Sequence, residues 1–293
     1  MGFERCHPAV NFLFFAAVIA GTVLFRHPLF LAISFFCGVA YSVQRNGKKA
    51  AAFDGCLLPL IAVFALYYSS YHHFGITVLR QNFIGNNMTM EALLYGLTLG
   101  ITGAASAMWL GCVFSIFTAD KVVYLFGRFS PRLSLFLAIL LRMMPRLKQQ
   151  AGRISTARKA LGRGIDQGNI LRRMVNGVRI FSMLITWLLE ALATISGSMR
   201  SRGCALKGRT AFSIYRFDNR DRGLVIGMFT CLTVTAMAVV LGQTDMTFAP
   251  RIIMEPVTPG SAAFYIGYAV LCLLPMALEV ICQFRFEQLR RKV

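Results

Sequence analysis

Acidic side chains are scarce in this sequence: 12 Asp and Glu stand against 31 Lys and Arg, and charged residues of both signs make up only 15% of 293 positions. A soluble domain carries about a quarter. With 56% hydrophobic residues and a mean hydropathy of +0.60, the shortage of charge takes the chain out of the soluble class and places it in a bilayer.

Other absences narrow the function. Eight cysteines are present but no CxxC pair, and Cys37, Cys56, Cys112, Cys231, Cys272 and Cys282 lie in or beside apolar runs, so they read as small hydrophobes rather than a disulfide or zinc framework. His7, His27, His72 and His73 lack HExxH-like spacing and read as interfacial polar residues, with no metal expected. No GxxxxGK[ST] loop occurs, so nucleotide binding in the P-loop manner is excluded, and GxSxG is missing as well. Gly162-Arg163-Gly164 with Gly168 follows a predicted helix rather than a strand, which makes it a poor dinucleotide fingerprint. No cofactor is implied.

What is present is a series of apolar runs. A hydrocarbon core about 30 Å thick needs about 20 apolar residues in a helix, and that filter selects residues 9–25, 28–43, 53–74, 92–118, 223–242 and 262–284. The first run lacks a small-residue cleavage site and leads straight into the second, so it is expected to be a retained span. Only Asp54 and Glu279 are carboxylates inside these runs, each near an end, which gives no spaced acid chain for a proton relay.

The net charge of +19 is concentrated. Residues 119–222 hold 20 of the 31 basic side chains against five acidic ones, a local net charge of +15. Arg45, Lys48 and Lys49 follow the second run, this block follows the fourth, and Arg285, Arg290, Arg291 and Lys292 follow the sixth. The intervening loops carry only Arg26, then Arg80 and Glu91, then Asp245, Arg251 and Glu255. The positive-inside bias predicts that both termini and the basic block are cytoplasmic. The organisation expected is spans one to four in 1–118, a cytoplasmic helical insertion in 119–222, and spans five and six in 223–293.

Within the insertion, residues 133–144 are apolar but too short to span, and Pro145 is expected to end or kink that helix before an amphipathic one carrying Leu147, Ile154, Ala157 and Leu161. A second helix is expected to start near Asn169 and to run through 178–199, apolar over much of its circumference, against membrane spans or a partner. Both end on arginine and glycine. Arg in a last turn and Gly after it are ordinary helix capping, yet an exposed arginine at a rigid tip can also enter an acidic groove on a partner as a charge-assisted pair. Residues 142–179 contain no Phe, Tyr or Trp, so the stacking platform of a nucleic-acid binder is absent. Anionic lipid headgroups are the expected counter-charge.

The fourth run carries Gly96, Gly100, Ala104 and Ala107 at close to four-residue spacing, with Gly103 and Gly111 adjacent. In lipid, such a face permits close helix approach. It reads either as packing inside the subunit or as a smooth surface for another membrane protein.

Several stretches resemble one family. They are Arg142-Met143-Met144-Pro145-Arg146, residues 154–164, Trp187-Leu188-Leu189-Glu190-Ala191, Ser198-Met199-Arg200-Ser201-Arg202-Gly203 and Lys207-Gly208-Arg209-Thr210. Together with the His7-Pro8 start, they resemble the T component of energy-coupling-factor importers, bacterial transporters of the ABC class. The resemblance implies an all-α polytopic membrane protein of about six spans, in which two cytoplasmic coupling helices end in Ala-Arg-Gly or Ser-Arg-Gly and dock into two ABC ATPase subunits. Ser201-Arg202-Gly203 matches the second motif. The first falls either on Gly162-Arg163-Gly164, with Gly where Ala or Ser is usual, or on Ala157-Arg158-Lys159, which lacks the Gly. The resemblance further implies a substrate-binding membrane S component, a vitamin or micronutrient cargo, a location in the bacterial cell membrane, and no catalysis in this chain. The alternative is a self-contained channel or secondary carrier, which would need a polar pathway or paired broken helices at the midplane.

Overall fold

Two His-Pro steps begin the helical fold. Helices α1 (Pro8–Leu24) and α2 (Pro28–Asn46) each start on proline, whose missing N–H costs nothing at a first helical position. His7 Nδ1 accepts from the Ala9 N–H at 3.2 Å and His27 Nδ1 from the Leu29 N–H at 3.4 Å. Both histidines are buried caps.

The computed structural model describes residues 2–72, 74–81, 87–127, 130–166, 169–204, 206, 215–248, 252–254 and 258–291. Expectations resting on His73, Arg128, Gly168, Lys207-Gly208-Arg209-Thr210, Arg251, Glu255 and Lys292, and on the Arg80 side chain, lie outside it. Beyond α2 the helices are α3 (Lys48–Tyr71), α4 (Met90–Ile116), α5 (Ala119–Gly127), α6 (Pro131–Ala160), α7 (Ile170–Ser201), α8 (Asn219–Val240) and α9 (Pro259–Arg290). A 3-10 turn (Phe3–Arg5) and two short antiparallel strand pairs complete the elements among the described residues: β1 (Val78–Gln81) with β2 (Asn87–Thr89), and β3 (Met246–Thr247) with β4 (Ile253–Met254).

The chain is an all-α polytopic membrane protein. Among the described residues six helices are long and apolar enough to cross a bilayer: α2, α3, α4, α7, α8 and α9. The number agrees with expectation but the membership does not. Helix α1, counted as a span from residues 9–25, has only 17 residues. Helix α7, read from sequence as cytoplasmic, passes the same length and composition filter. Its arginines lie mostly towards the ends, Arg172, Arg173 and Arg179 before the apolar stretch and Arg200 after it, which leaves Glu190 as the one charged residue between Arg179 and Arg200. Helix α6 continues through Pro145, so of the two outcomes expected there the helix does not end. Proline there removes one N–H, so the Leu141 carbonyl loses its i+4 donor while the turns on either side persist.

The chain divides into two units, residues 1–118 with 215–293, and residues 119–214. Residues 215–222, assigned from sequence to the insertion, belong with the first unit. The reason is a set of contacts to the N-terminus: the His7 N–H donates to Asp221 Oδ1 at 3.4 Å, Arg220 Nη2 to Cys6 Sγ at 3.4 Å, and the Phe217 ring meets His7 edge-on.

In the first unit, hydrocarbon would solvate leucine as well as protein does, so close packing and interior hydrogen bonds must specify the arrangement. Fully buried Trp109 on α4 meets Phe14 and Phe15 of α1 edge-on, and lies over Gly38 of α2, where a Cβ would come within 3.3 Å of the indole nitrogen. Trp109 Nε1 donates to Ser34 Oγ at 3.2 Å, Ser34 bonds Thr22, and Thr22 bonds the Tyr268 hydroxyl at 3.3 Å. This buried chain ties α1, α2, α4 and α9 together.

Candidate functional site

The candidate site lies in the second unit, on α6 and α7. Asn169 caps α7, its Oδ1 accepting from the Ile170 N–H at 3.0 Å, and Ser130 caps α6. The connection between the helices is held down at Gly164, which is buried and whose carbonyl accepts from Asn176 Nδ2 at 3.2 Å. A Cβ on Gly164 would sit 3.3 Å from the Lys159 backbone, so glycine permits the close approach. Lys159 and Asp166 pair across the same turn at 3.4 Å, but both are well exposed and the pair adds little.

The two helix ends share one geometry. At α6 the Gly162 N–H donates to the Lys159 carbonyl at 3.1 Å and the Arg163 N–H to that of Arg158 at 2.9 Å. At α7 the Gly203 N–H donates to Arg200 at 3.0 Å and the Cys204 N–H to Met199 at 3.1 Å. Gly162 and Gly203 take the left-handed conformation, φ +70° and +74°. Both ends are Schellman caps, in which glycine relieves the strain that a Cβ would meet there.

This equivalence sets the two tips in one frame. Gly162 corresponds to Gly203, so Ala160-Leu161-Gly162 stands where Ser201-Arg202-Gly203 stands, and leucine occupies the arginine position. Arg163 follows the turn instead of preceding it, and Gly164, taken from sequence as the motif glycine, is the buried packing residue described above. The rival frame, Ala157-Arg158-Lys159, lies wholly inside α6 with Arg158 half-buried. Helix α8 ends in the same cap at Gly242 without an arginine. What distinguishes the α7 tip is therefore the side chain and not the turn.

Arg202 is exposed at the C-cap, and Ser201 Oγ folds back onto the Ser198 carbonyl at 2.9 Å, which keeps the tip slim. Arg202 also borders a cavity of about 450 Å³ between α6 and α7, together with Arg142 and Arg146. Sequence reasoning missed this grouping. Arg142 and Arg146 share a face of α6 by their four-residue spacing, but only the packing of α6 on α7 brings Arg202 to the same cavity.

The small-residue face of α4 separates into two parts. A Cβ on Gly96 would come within 3.0–3.1 Å of Tyr68 and Ala65, and one on Gly100 within 3.1 Å of Ile61, all on α3. Ala104 is buried as well. Gly96 and Gly100 are thus used in α3–α4 packing. Gly103 is exposed with open space around it, and Ala107 is half-exposed.

Of the two carboxylates read as lying inside spans, Asp54 is buried and Glu279 accepts from the Tyr41 hydroxyl at 3.4 Å. Glu279 borders a cavity of about 660 Å³ that also meets the Arg45–Glu4 ion pair. Among the described residues no cluster of His, Cys, Asp and Glu is arranged to hold a metal.

No protein-family model matches the chain, and no curated protein matches it.

Proposed function

We propose that this chain is the transmembrane coupling subunit of an energy-coupling-factor importer in a bacterial cytoplasmic membrane, with both termini and the second unit on the cytoplasmic side. In this reading α6 and α7 are the coupling helices. Two P-loop ATPases bind their tips, and movement of the ATPases is passed through the helices to an S component that carries a vitamin or other micronutrient. The chain breaks no bond itself.

The observation that carries the reading is Arg202: an exposed arginine at the C-cap of a 32-residue helix, followed by a left-handed glycine and flanked by a serine folded back on its own helix. A rigid helix transmits displacement along its axis, and a slim cationic tip fits an acidic groove. The α6 tip has the same turn but leucine at the C-cap, so the two ATPase contacts are expected to be unequal.

Replacement of Arg202 tests this. Arg202→Ala removes a charge-assisted contact of about 2–5 kcal/mol if it is buried at the interface, and Arg202→Glu adds like-charge repulsion to that loss. Both variants should reach the membrane at normal level. ATPase co-purification and vitamin uptake should fall for Ala and fall further for Glu. Wild-type uptake by Arg202→Glu would reduce the tip to an ordinary helix cap.

A further inference from the structure

Among the described residues of the second unit, the buried polar side-chain atoms without a hydrogen-bond partner all belong to one residue, Arg158, at Nε and Nη2. Its half-buried side chain comes from the face of α6 that carries Met143, Leu147 and Ile154, which is the less exposed face and the one that meets α7. A guanidinium keeps its charge at every physiological pH, so the folded unit bears the cost of two desolvated, unpaired donors. The acids of this unit do not supply a partner. Asp166 is taken by exposed Lys159, while Asp120 and Glu190 lie in α5 and in the middle of α7.

The cap geometry makes this arrangement specific to α6. Counting back from the left-handed glycine, Arg158 corresponds to Met199 of α7 as the residue whose carbonyl accepts the last N–H of the cap, and Leu161 corresponds to Arg202. Cation and hydrophobe are thus exchanged between the two ends. At the α6 end the connection exposes Leu161, Ile165, Ile170 and Leu171, whereas past the α7 tip only Leu206 among the described residues is an exposed aliphatic.

Three sources of an anion ask different things of this surface. A free phosphate makes no use of four exposed aliphatic side chains. Lipid headgroups at a membrane plane are met by Lys159, Arg163, Arg172 and Arg173, all exposed around the same connection, and do not reach a guanidinium sunk against α7. A carboxylate projecting from an apolar groove of another protein matches both features. Hydrocarbon walls cover the aliphatic rim while the acid takes the cation at its centre.

We infer that Arg158, and not Arg163, is the charged contact of the α6 end: it takes a carboxylate presented from an apolar groove of a partner protein, with Leu161, Ile165, Ile170 and Leu171 against the groove walls. The partner is an ATPase subunit, and that identity rests on the coupling reading above. The undocked protein already holds the guanidinium partly desolvated, so pairing costs less desolvation than it would for an exposed arginine. The α6 end then docks through a flank of its helix and the α7 end through its tip.

The test uses the full chain in mild detergent with the ATPase subunits that co-purify with it. Arg158→Met, which gives α6 the residue that α7 has, should bind the ATPases at least about tenfold more weakly. Its thermal midpoint should hold or rise, because an unpaired charge has been removed. Arg153→Gln, an equal loss of charge from an exposed position on α6, should bind as wild type. In the Arg158→Lys variant a water-soluble carbodiimide should join the introduced amine to the partner's carboxylate as an amide, the carbodiimide taking up the elements of water to become a urea. Peptide mass spectrometry identifies the joined residues.

Wild-type ATPase binding by Arg158→Met would overturn the inference, and if binding to phosphatidylglycerol vesicles weakened instead, the surface would belong to the membrane. Equal loss in Arg153→Gln, a lowered thermal midpoint in Arg158→Met, or an amide formed only with Asp166 of the same chain would overturn it too. A wild-type chain that co-purifies with no ATPase would refute the coupling reading. An amide between position 158 and a carboxylate of another co-purifying protein would then still support the docking surface, and its absence would refute the surface as well.

Discussion

A C-cap residue sits at a mechanical extremity: its own backbone leaves the helix while the preceding carbonyls hold it in place. At the α7 end that residue is Arg202, and at the α6 end it is Leu161, with Arg163 displaced beyond the glycine. The two arginines are both exposed, yet they are not equivalent, because only Arg202 precedes the left-handed turn. Arg163→Ala should therefore weaken ATPase association by less than about 1 kcal/mol, the scale of an exposed pair, well below the loss from Arg202→Ala. Quantitative pull-down of the ATPases against each variant measures this, and a loss from Arg163→Ala as large as that from Arg202→Ala would show that the position before the glycine does not matter. Gly203 carries a related expectation. At φ +74° an Ala costs about 1–2 kcal/mol in the cap, and its Cβ would also press on Leu206 at 3.2 Å. Gly203→Ala should give intermediate binding, with the tip frayed but the arginine retained. Full wild-type binding by Gly203→Ala would mean that the turn does not position Arg202.

Among helices, the clearest division is on α4. Gly96 and Gly100 let α3 approach within contact of the α4 backbone, so Gly100→Leu forces the pair apart and should destabilise the first unit by about 1–3 kcal/mol, as overpacking does. Gly103→Leu enters open space and should leave the thermal midpoint in detergent unchanged. If Gly103 and Ala107 form the part of the face that meets an S component, Gly103→Leu should reduce that association while the fold persists. A thermal shift assay beside S-component pull-down separates the outcomes. Loss of stability in Gly103→Leu, or equal stability in Gly100→Leu, would contradict the division. The four-residue spacing was legible in the sequence, but which member faced α3 was not, because spacing fixes a face and says nothing of what lies opposite it. Helix α6 illustrates a related limit. Proline marks the loss of one hydrogen bond, and whether a helix stops there depends on the turns around it, which in α6 continue for 15 residues past Pro145. At the tips, arginine and glycine were visible as a pair. The register that makes Gly162 rather than Gly164 the counterpart of Gly203 is a matter of backbone angle, which composition does not encode.

On the scale of the molecule, composition alone was sufficient for class. Runs of apolar residues at bilayer length follow directly from the need to satisfy every backbone group in lipid, and the basic block between the fourth and fifth runs announced a separate unit. Assignment of α7 was harder for the same reason, since a helix that lies along a membrane or partner and a helix that crosses one can share length and hydropathy. Non-local contacts were not legible: the join of His7 and Cys6 to Asp221 and Arg220 spans 214 residues and moves residues 215–222 into the first unit. The account built on these units is that of a scaffold that hydrolyses nothing and selects no substrate, but joins proteins that do. Its most direct test is composition. The chain is purified through an affinity tag from its own membranes in mild detergent, the co-purifying chains are identified and counted by native mass spectrometry, and ATP hydrolysis is measured before and after the partners are stripped. The account predicts two P-loop ATPase subunits and one small membrane protein per chain, with hydrolysis that leaves with the ATPases. A chain that purifies without ATPases and still takes up substrate in proteoliposomes would contradict it.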